Sequence, residues 1–210
     1  MTIPPATVYV VDDDASVRDS VLALVKSKGL TSRGFSSAEE FLLFTEIQQP
    51  ACVVMDIRMP GMSGLDLQQQ MATSGNPLPV VMVTGYADVA MAVRAMQNGA
   101  VTFLQKPCSD QELWQGIQLA LEKGSSDYAS QKQRQEIESR LATLSDDEQG
   151  VLQKILEGHP NKKVAADLDI GLRTVELRRS NIMKKMLANS HPELVRMCML
   201  VGVFKPDPNG

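Results

Sequence analysis

The sequence lacks the features that mark secreted, disulfide-bonded and membrane proteins. Its three cysteines are far apart among 210 residues and form no C-x-x-C pair, which argues against a disulfide framework or a zinc site. No apolar run approaches the roughly 18 residues of a membrane span, and the N-terminus has no basic segment or cleavage site typical of a secretion signal. We therefore expect a cytoplasmic protein with no membrane contact, in which Cys52, Cys108 and Cys198 are small core side chains.

Length and charge indicate two different domains. The apolar share of 43% and the charged share of 22% are typical of a globular protein, and 210 residues suffice for two ordinary domains. Residues 1–123 carry 8 basic and 13 acidic side chains, whereas residues 141–210 carry 10 and 9. Five basic residues and one glutamate lie between Arg173 and Lys185, and this local excess marks where a polyanion would bind.

Strand-like and helix-like segments alternate in the first 123 residues. Helical patterns are predicted from about Ala15, from the SSAEE segment, and from Gly64, Asp88 and Ser109. Five strand–helix units in alternation predict a doubly wound, mostly parallel sheet. The five strand runs are TVYVV, TSRGF, ACVVM, PVVMV and VTFLQ.

Helices without strands are predicted in the rest of the chain. The Ser-x-x-Glu pattern of a capping box marks a helix start. It occurs at Ser36 with Glu39 or Ser37 with Glu40, at Ser109 with Glu112, at Ser145 with Glu148 and at Ser190 with Glu193. The polar segment between the two parts is interpreted as a linker that becomes helical near Ile137, Leu141 and Leu144. The predicted organisation is a first domain at 1–123, a partly helical linker at 124–141 and a second domain at 142–210.

Polar residues follow or end four of the strand runs. They are Asp12 and Asp13, Asp56, Thr84 and Lys106, and sites in such a sheet form outside the carboxyl ends of its strands. Three carboxylates there repel, each pair by about 4 kcal/mol at about 4 Å and an effective dielectric constant of about 20. Mg²⁺ would relieve this repulsion because it prefers oxygen ligands. With a lysine and a threonine, the set could stabilise a phosphoryl group that moves onto one carboxylate.

Each of these features alone has an ordinary explanation. An acidic triplet after a strand is usually a solvated loop or a helix N-terminus, a Lys-Pro pair is usually a surface turn, and a lone threonine indicates little. Their joint occurrence, in order and at successive strand ends, favours the phosphoryl site.

The same segments resemble a known family. VYVVDDDASVRDSV, VVMDIRMPGMSGLDL, VMVTGYADVAMAVRAMQNGA and FLQKP resemble the receiver domain of two-component response regulators, which has a flavodoxin-like five-stranded parallel sheet, over about residues 6–123. The resemblance implies that Asp56 is the phosphoacceptor and that Thr84 and Lys106 engage the phosphoryl group. It also implies a switch in which Phe103 turns inward with Thr84, and a cis bond before Pro107. The implied Mg²⁺ ligands are Asp12, Asp13, Asp56 and the backbone carbonyl of Arg58.

Three positions depart from the family pattern. Tyr86, two residues after the switch threonine, could shield an acyl phosphate from water. Cys108 replaces a frequent aromatic residue and could alter the surface of the last receiver helix. Ala90 replaces a frequent proline, with little expected consequence.

A helix-turn-helix is predicted in the second domain. A helix is followed by a turn near Gly158, a short helix capped by Asn161, a turn at 169–171 and a helix of about 16 residues. One side of this last helix is predicted to face the core, with Leu172, Val175, Ile182, Met183 and Met186. The opposite side carries Thr174, Leu177, Arg178, Asn181, Lys184 and Lys185. A polar helix face is ordinarily only solvated, but this one is basic on a nearly neutral domain, and its exposed leucine could contact a thymine methyl.

The segment NKKVAADLDIGLRTVELRRSNIMKKM resembles the LuxR-type DNA-binding domain. The whole chain thereby resembles a FixJ-type member of the NarL family. Gly171 stands where the family often has an N-cap serine, and Arg178 replaces a frequent histidine, which leaves open which bases are read. Arg179 is expected to reach a phosphate. The predicted DNA contacts are Lys162, Arg173, Thr174, Leu177, Arg178, Arg179, Asn181, Lys184 and Lys185.

The resemblance implies a phosphorylation-controlled transcription factor and not an enzyme. A sensor histidine kinase would phosphorylate Asp56, and either homodimer formation or release of a masked DNA-binding domain would then permit binding to double-stranded promoter DNA. An alternative is a phosphatase of the haloacid-dehalogenase type, with Asp12 as nucleophile, but it leaves MDIRMPGMSG and the second domain unexplained. A third possibility is a regulator that acts without phosphorylation.

Overall fold

The computed structural model describes residues 6–73, 78–85 and 88–204. It divides the chain into two units, Met1–Ala129 and Ser130–Gly210. The first unit contains a five-stranded parallel sheet in the order β2-β1-β3-β4-β5, as predicted. The strands are β1 (Thr7–Val11), β2 (Thr31–Phe35), β3 (Ala51–Asp56), β4 (Val80–Thr84) and β5 (Thr102–Gln105), and the helices are α1 (Ala15–Ser27), α2 (Ala38–Leu43), α3 (Gly64–Thr73), α4 (Val89–Gln97) and α5 (Asp110–Leu141).

Helices cover both faces of this sheet. Successive side chains of a strand point to opposite faces, so Val8 and Val10 of β1 pack with α1 and α5. Tyr9 and Val11 pack with the other cluster, to which α2, α3 and α4 contribute. Because both faces are covered, β1, β3 and β4 are buried along their whole length, which explains their continuous apolar runs.

The second unit contains the C-terminal part of α5 and four further helices around one core. Those helices are α6 (Asp146–Leu156), α7 (Asn161–Asp167), α8 (Leu172–Met186) and α9 (His191–Leu200). Val164 of α7, Val175 and Ile182 of α8, and Leu194 of α9 are fully buried together. The turn between α7 and α8 contains Asp169 in the left-handed region, with φ of 51°, a conformation that aspartate tolerates better than most residues.

The segment that we predicted as a partly helical linker is helical throughout. Residues 124–141 lie entirely within the 32-residue helix α5. Its Gly and Ser residues lower helix propensity only modestly, and buried Ile137 fixes its last turns to the core of the second unit. The predicted bounds of the two domains and the linker stay a prediction.

Three local predictions were wrong. Asn161 does not cap α7: Pro160 is the N-cap, and Asn161 is the first helical residue. Leu172 does not face the core, because it lies in the first turn of α8 and is 41% exposed. Cys108 is only partly buried, whereas Cys52 and Cys198 are fully buried. Burial raises the pKa of both buried thiols.

The capping boxes were largely predicted correctly. At α2 the alternative with Ser37 and Glu40 forms one of the two hydrogen bonds of a capping box: the Glu40 amide donates to the Ser37 hydroxyl oxygen, whereas the Glu40 carboxylate accepts from the amide of Ser36. Both reciprocal hydrogen bonds form at Ser109 with Glu112 and at Ser145 with Glu148. In the part of the chain described here, no helix has the length and apolar character needed to cross a bilayer.

Candidate functional site

The strand register brings the predicted phosphoryl-site residues to one edge of the sheet. Asp56 is the last residue of β3, and Asp12 directly follows β1, whose Val11 pairs with Met55. Thr84 is the last residue of β4 and pairs with Gln105, directly before Lys106. All four therefore lie at the carboxyl ends of strands, where β1 and β3 adjoin and the winding of the sheet reverses.

Three carboxylates meet at this edge. Oxygen atoms of Asp12, Asp13 and Asp56 all lie within 4.8 Å of one another. Asp12 and Asp56 are buried, whereas Asp13 is exposed. A set of hard oxygen ligands with one side open to solvent fits a hexacoordinate divalent ion such as Mg²⁺, which retains several waters. These residues could therefore hold the predicted metal.

Lys106 supplies positive charge to the same cluster. Its Nζ donates hydrogen bonds to Asp12 Oδ2 at 2.7 Å and to Asp56 Oδ2 at 2.6 Å. Burial alone would lower the pKa of Lys106, but these two carboxylates outweigh burial and leave its pKa raised. Burial raises the pKa of Asp12, and the hydrogen bond from Lys106 only partly offsets this. The lysine is thus held charged between two acids.

Backbone and arginine donors fix the remaining orientation of the acids. The amide of Arg58 donates to Asp56 Oδ1 at 2.9 Å, and the amide of Asp14 donates to Asp12 Oδ1 at 3.0 Å. Arg18 donates through Nη1 to the carbonyl of Asp12 at 2.6 Å. Arg18 was not among the predicted site residues, because nothing in a helix pattern indicates that an arginine folds back over the preceding loop.

The two residues predicted to form the switch differ in burial. The Thr84 side chain is fully buried, and Phe103 is half-buried against the core on the α4 side of the sheet. The peptide bond before Pro107 is cis, as predicted. Tyr86, expected to shield an acyl phosphate, lies outside the described residues.

The predicted DNA-binding face lies on α8 and on the start of α7. Leu177 is 61% exposed, in agreement with the prediction that it has no core role. Thr174 and Asn181 are half-buried, and Arg173, Lys184 and the α7 residue Lys162 are exposed.

Two of the predicted DNA contacts have partners at or just before the acidic start of α6. Arg178 forms an ion pair with Asp147. Lys185 pairs with Glu148 at 2.6 Å and donates to the carbonyl of Thr143 at 3.0 Å. The Ser-x-x-Glu pattern indicates the acidic start of α6 only as part of a capping box and does not identify these acids as partners of α8.

Arg179, which is predicted to reach a phosphate, also has partners in the second unit. Its guanidinium donates to Asn161 Oδ1 at 2.7 Å and contacts Nε2 of His191. It therefore links the first residues of α7 and α9 to α8, and its hydrogen bonds are made within the domain. The Asn161 side chain, which was predicted to cap α7, therefore accepts a hydrogen bond from Arg179 instead.

Family models match both parts of the chain. The model for the response regulator receiver domain matches residues 8–118, and the model for bacterial regulatory proteins of the luxR family matches residues 142–198. The chain belongs to the response regulators. It is a FixJ-like response regulator transcription factor, with a receiver domain and a LuxR-type helix-turn-helix domain.

Similar proteins share this organisation over nearly their whole length. The response regulator is 41% identical over 197 residues to the transcriptional regulatory protein FixJ of Bradyrhizobium diazoefficiens, which covers 94% of this chain and 96% of that protein. It is 42% identical over 200 residues to FixJ of Rhizobium meliloti, covering 95% and 98%. It is 38% identical over 192 residues to the response regulator protein TodT of Pseudomonas putida, covering 91% and 85%.

Solved structures agree with this assignment. A low-resolution structure of the response regulator StyR is 37% identical, with a TM-score of 0.83 over 93% of this chain and 98% of that one. Full-length FixJ from B. japonicum is 40% identical, with a TM-score of 0.56 over 97% and 100%.

Proposed function

We propose that Asp56 accepts a phosphoryl group from a sensor histidine kinase and that this modification controls DNA binding. A carboxylate oxygen of Asp56 attacks phosphorus, the bond from phosphorus to the donor imidazole nitrogen breaks, and an acyl phosphate forms on Asp56. The observation that carries this proposal is the position of Asp56 at the end of β3, hydrogen-bonded to Lys106 at 2.6 Å and clustered with two other acids.

The metal-binding role is assigned to the acidic cluster. Asp12, Asp13, Asp56 and the carbonyl of Arg58 would hold Mg²⁺, which when bound neutralises charge on the phosphoryl oxygens. Asp12 accepts a hydrogen bond from the amide of Asp14, which keeps its carboxylate oriented toward the cluster without a metal.

Lys106 and Thr84 are assigned to the phosphoryl group itself. Once Asp56 is phosphorylated, its oxygen no longer carries the charge that holds Lys106, so the ammonium group is available to a phosphoryl oxygen. The Thr84 hydroxyl would donate to another oxygen. Movement of Thr84 out of its buried position would leave space that half-buried Phe103 could fill, since Phe103 pairs with Met82, which lies two residues before Thr84 and points to the same face of the sheet.

The consequence of the switch is proposed to be a homodimer on double-stranded promoter DNA. The surface of α4, β5 and α5 would pair with its copy, and the exposed face of α8 would enter the major groove of each half-site. The protein would act in the cytoplasm, where it meets both the kinase and the DNA. Its product is a signal and not a released metabolite, so we do not regard it as an enzyme.

Phosphorylation of variants tests the assignment of Asp56. The full chain is incubated with acetyl phosphate and Mg²⁺, and the modified residue is identified by mass spectrometry. We expect the unchanged chain to gain one phosphoryl group on Asp56, Asp56→Asn to gain none, and Asp12→Asn to be modified more slowly but still on Asp56. Modification of Asp12 would instead support a phosphatase of the haloacid-dehalogenase type.

Measurements of DNA affinity test whether phosphorylation of Asp56 controls DNA binding. We expect acetyl phosphate to raise the affinity of the unchanged chain for a genomic fragment selected by the phosphorylated protein, and to leave the affinity of Asp56→Asn unchanged. Equal affinities of both proteins before and after treatment would favour a regulator that acts without phosphorylation.

A further inference from the structure

The acidic first turn of α6 faces the DNA-binding helix. Asp146, Asp147 and Glu148 form this turn, and two of them pair with α8: Asp147 with Arg178, and Glu148 with Lys185. The side chain of the third acid, Asp146, forms no hydrogen bond or ion pair among the described residues. The turn therefore contains two acids that pair with predicted DNA contacts and, beside them, one that does not.

Arg178 occupies the middle of that face. Its neighbours on the exposed side of α8 are Thr174, Leu177 and Asn181, all uncharged. The Arg178 side chain is only 22% exposed, whereas its partner Asp147 is 69% exposed. By contrast, the side chains of Arg173 and Lys184 form no hydrogen bond or ion pair within the described part of the chain and remain available for phosphates. The central cation of the face is thus neutralised, while Arg173 near the start of the helix and Lys184 near its end are not.

The Arg178–Asp147 pair should interact less favourably with a phosphate than with the edge of a base. A phosphate that approaches Arg178 also meets the negative charge of Asp147 and is repelled by it. The edge of a guanine carries no net charge and offers two acceptors, O6 and N7. A guanidinium has five N–H donors, and the contact with Asp147 is made through Nη2, so Arg178 can keep this partner and still donate to a base.

We propose that Asp147 is a specificity-determining residue of the DNA-binding domain. It withholds Arg178 from phosphates and reserves it for a neutral acceptor in the major groove, and so lowers binding to DNA of arbitrary sequence. This inference rests on the proposed function, in which the exposed face of α8 reads DNA.

The test compares Asp147→Asn with Asp146→Asn in the full chain. Both variants remove one negative charge from the same helical turn, so a general electrostatic effect is equal in the two. Binding to a random-sequence duplex and to the best duplex selected by the unchanged chain is measured over a range of salt concentrations. We expect Asp147→Asn to bind the random duplex about two- to fivefold more tightly than Asp146→Asn does, the gain of an exposed ion pair. Its salt dependence should be steeper by about 0.9, the equivalent of one phosphate contact.

Binding to the selected duplex should change less, so the ratio of the two affinities falls. In an Arg178→Ala background, Asp147→Asn should no longer differ from Asp146→Asn. Equal behaviour of the two variants, or a difference that survives in that background, would overturn the inference. A failure of the unchanged chain to bind either duplex would instead count against the proposed role of α8 itself.

Discussion

At the level of single residues, positive and negative charges are nearly balanced in the proposed phosphoryl site. Asp12 and Asp56 are buried and share the ammonium group of Lys106. Asp13 is exposed, and the structure shows no ion pair of this residue within the described chain. Lys106 therefore partly neutralises the buried carboxylates of Asp12 and Asp56. The negative charge of Asp13 has no such partner, and a bound metal ion would mainly neutralise this charge.

We expect Asp13→Asn to lower the affinity for Mg²⁺ by about tenfold or more, because a carboxylate near a divalent ion contributes several kcal/mol even when partly screened. Isothermal titration of the full chain with Mg²⁺ measures this. Asp14→Asn is the matched control: it makes the same charge change one residue later, where the side chain caps α1 by accepting from the amide of Ser16 at 2.8 Å, and asparagine caps equally well. Equal losses in both variants would mean that the cluster has no specific role.

Gly64 determines how closely α3 approaches Asp56. A Cβ at this position would lie 2.1 Å from the backbone carbonyl oxygen of Asp56, and the Gly64 amide donates to the carbonyl of Ile57 at 2.9 Å. Since the obstacle is backbone, a side chain cannot move aside to make room.

Gly64→Ala should therefore lower the free energy of unfolding by about 1–3 kcal/mol, the range of a small-to-large substitution in a packed region. Urea unfolding measures the loss. Gly85→Ala serves as control, because a Cβ there meets no atom within 4 Å. A similar loss of unfolding free energy in both variants would show that the close approach of Gly64 to Asp56 does not cause the destabilisation.

At the level of elements, local patterns predicted the strands and most helix starts. Capping boxes depend on residues three apart, so Ser145 and Glu148 could be paired from the sequence alone. Asn161 was misassigned because its side chain accepts from Arg179, 18 residues away, and such a partner competes with capping without leaving a local signal. Leu172 was misassigned because a helical wheel does not show where the core ends along a helix.

Glu148 joins the cap of α6 to α8 and should make this contact dependent on pH. It accepts from the Ser145 amide at 2.9 Å and from Lys185 at 2.6 Å, and the hydrogen bond with Lys185, followed by that with Ser145, lowers its pKa. Because the folded pKa is depressed, the stabilisation is present above the ordinary glutamate pKa of about 4.3. It is lost as the pH falls through the lower, folded-state pKa.

Glu148→Gln should be less stable than the unchanged chain at neutral pH by about 1–2 kcal/mol, and this difference should shrink at acid pH. Denaturant midpoints measured along a pH series test this. Glu193→Gln is the matched control: it changes the corresponding glutamate of α9, which shows no ion pair among the described residues, and should cost less stability at neutral pH than Glu148→Gln. A Glu148→Gln deficit that stays constant into acid pH would exclude the ionic contribution.

On the scale of the whole molecule, a substitution on the proposed dimer surface can test dimer formation without blocking phosphorylation of Asp56. Val89, Val93 and Met96 of α4 are 80%, 48% and 49% exposed, an apolar set on a helix that belongs to the proposed interface. A charge introduced there would be buried without a partner in the dimer.

Val93→Glu should raise the dissociation constant of the phosphorylated dimer by about tenfold or more, while Asp56 is still modified by acetyl phosphate. Sedimentation velocity in the presence of beryllofluoride and Mg²⁺ measures assembly. Leu43→Glu, at an 82% exposed position of α2, makes a similar apolar-to-acid change outside the proposed surface and should leave assembly intact. If the unchanged chain stays monomeric yet gains DNA affinity, release of a masked domain is the better explanation.

The sequence by itself determined that the first unit has a doubly wound parallel sheet and which residues lie at the carboxyl ends of its strands. Both follow from the alternation of strand and helix segments along the chain and from local helix caps. It also determined which side of α8 is basic. Only the tertiary structure decided the partners: Lys106 lies between acids that are 94 and 50 residues away, and Arg178 pairs with Asp147, 31 residues away. Ion pairs of this kind depend on distances between elements, and those distances are set by packing and not by sequence spacing.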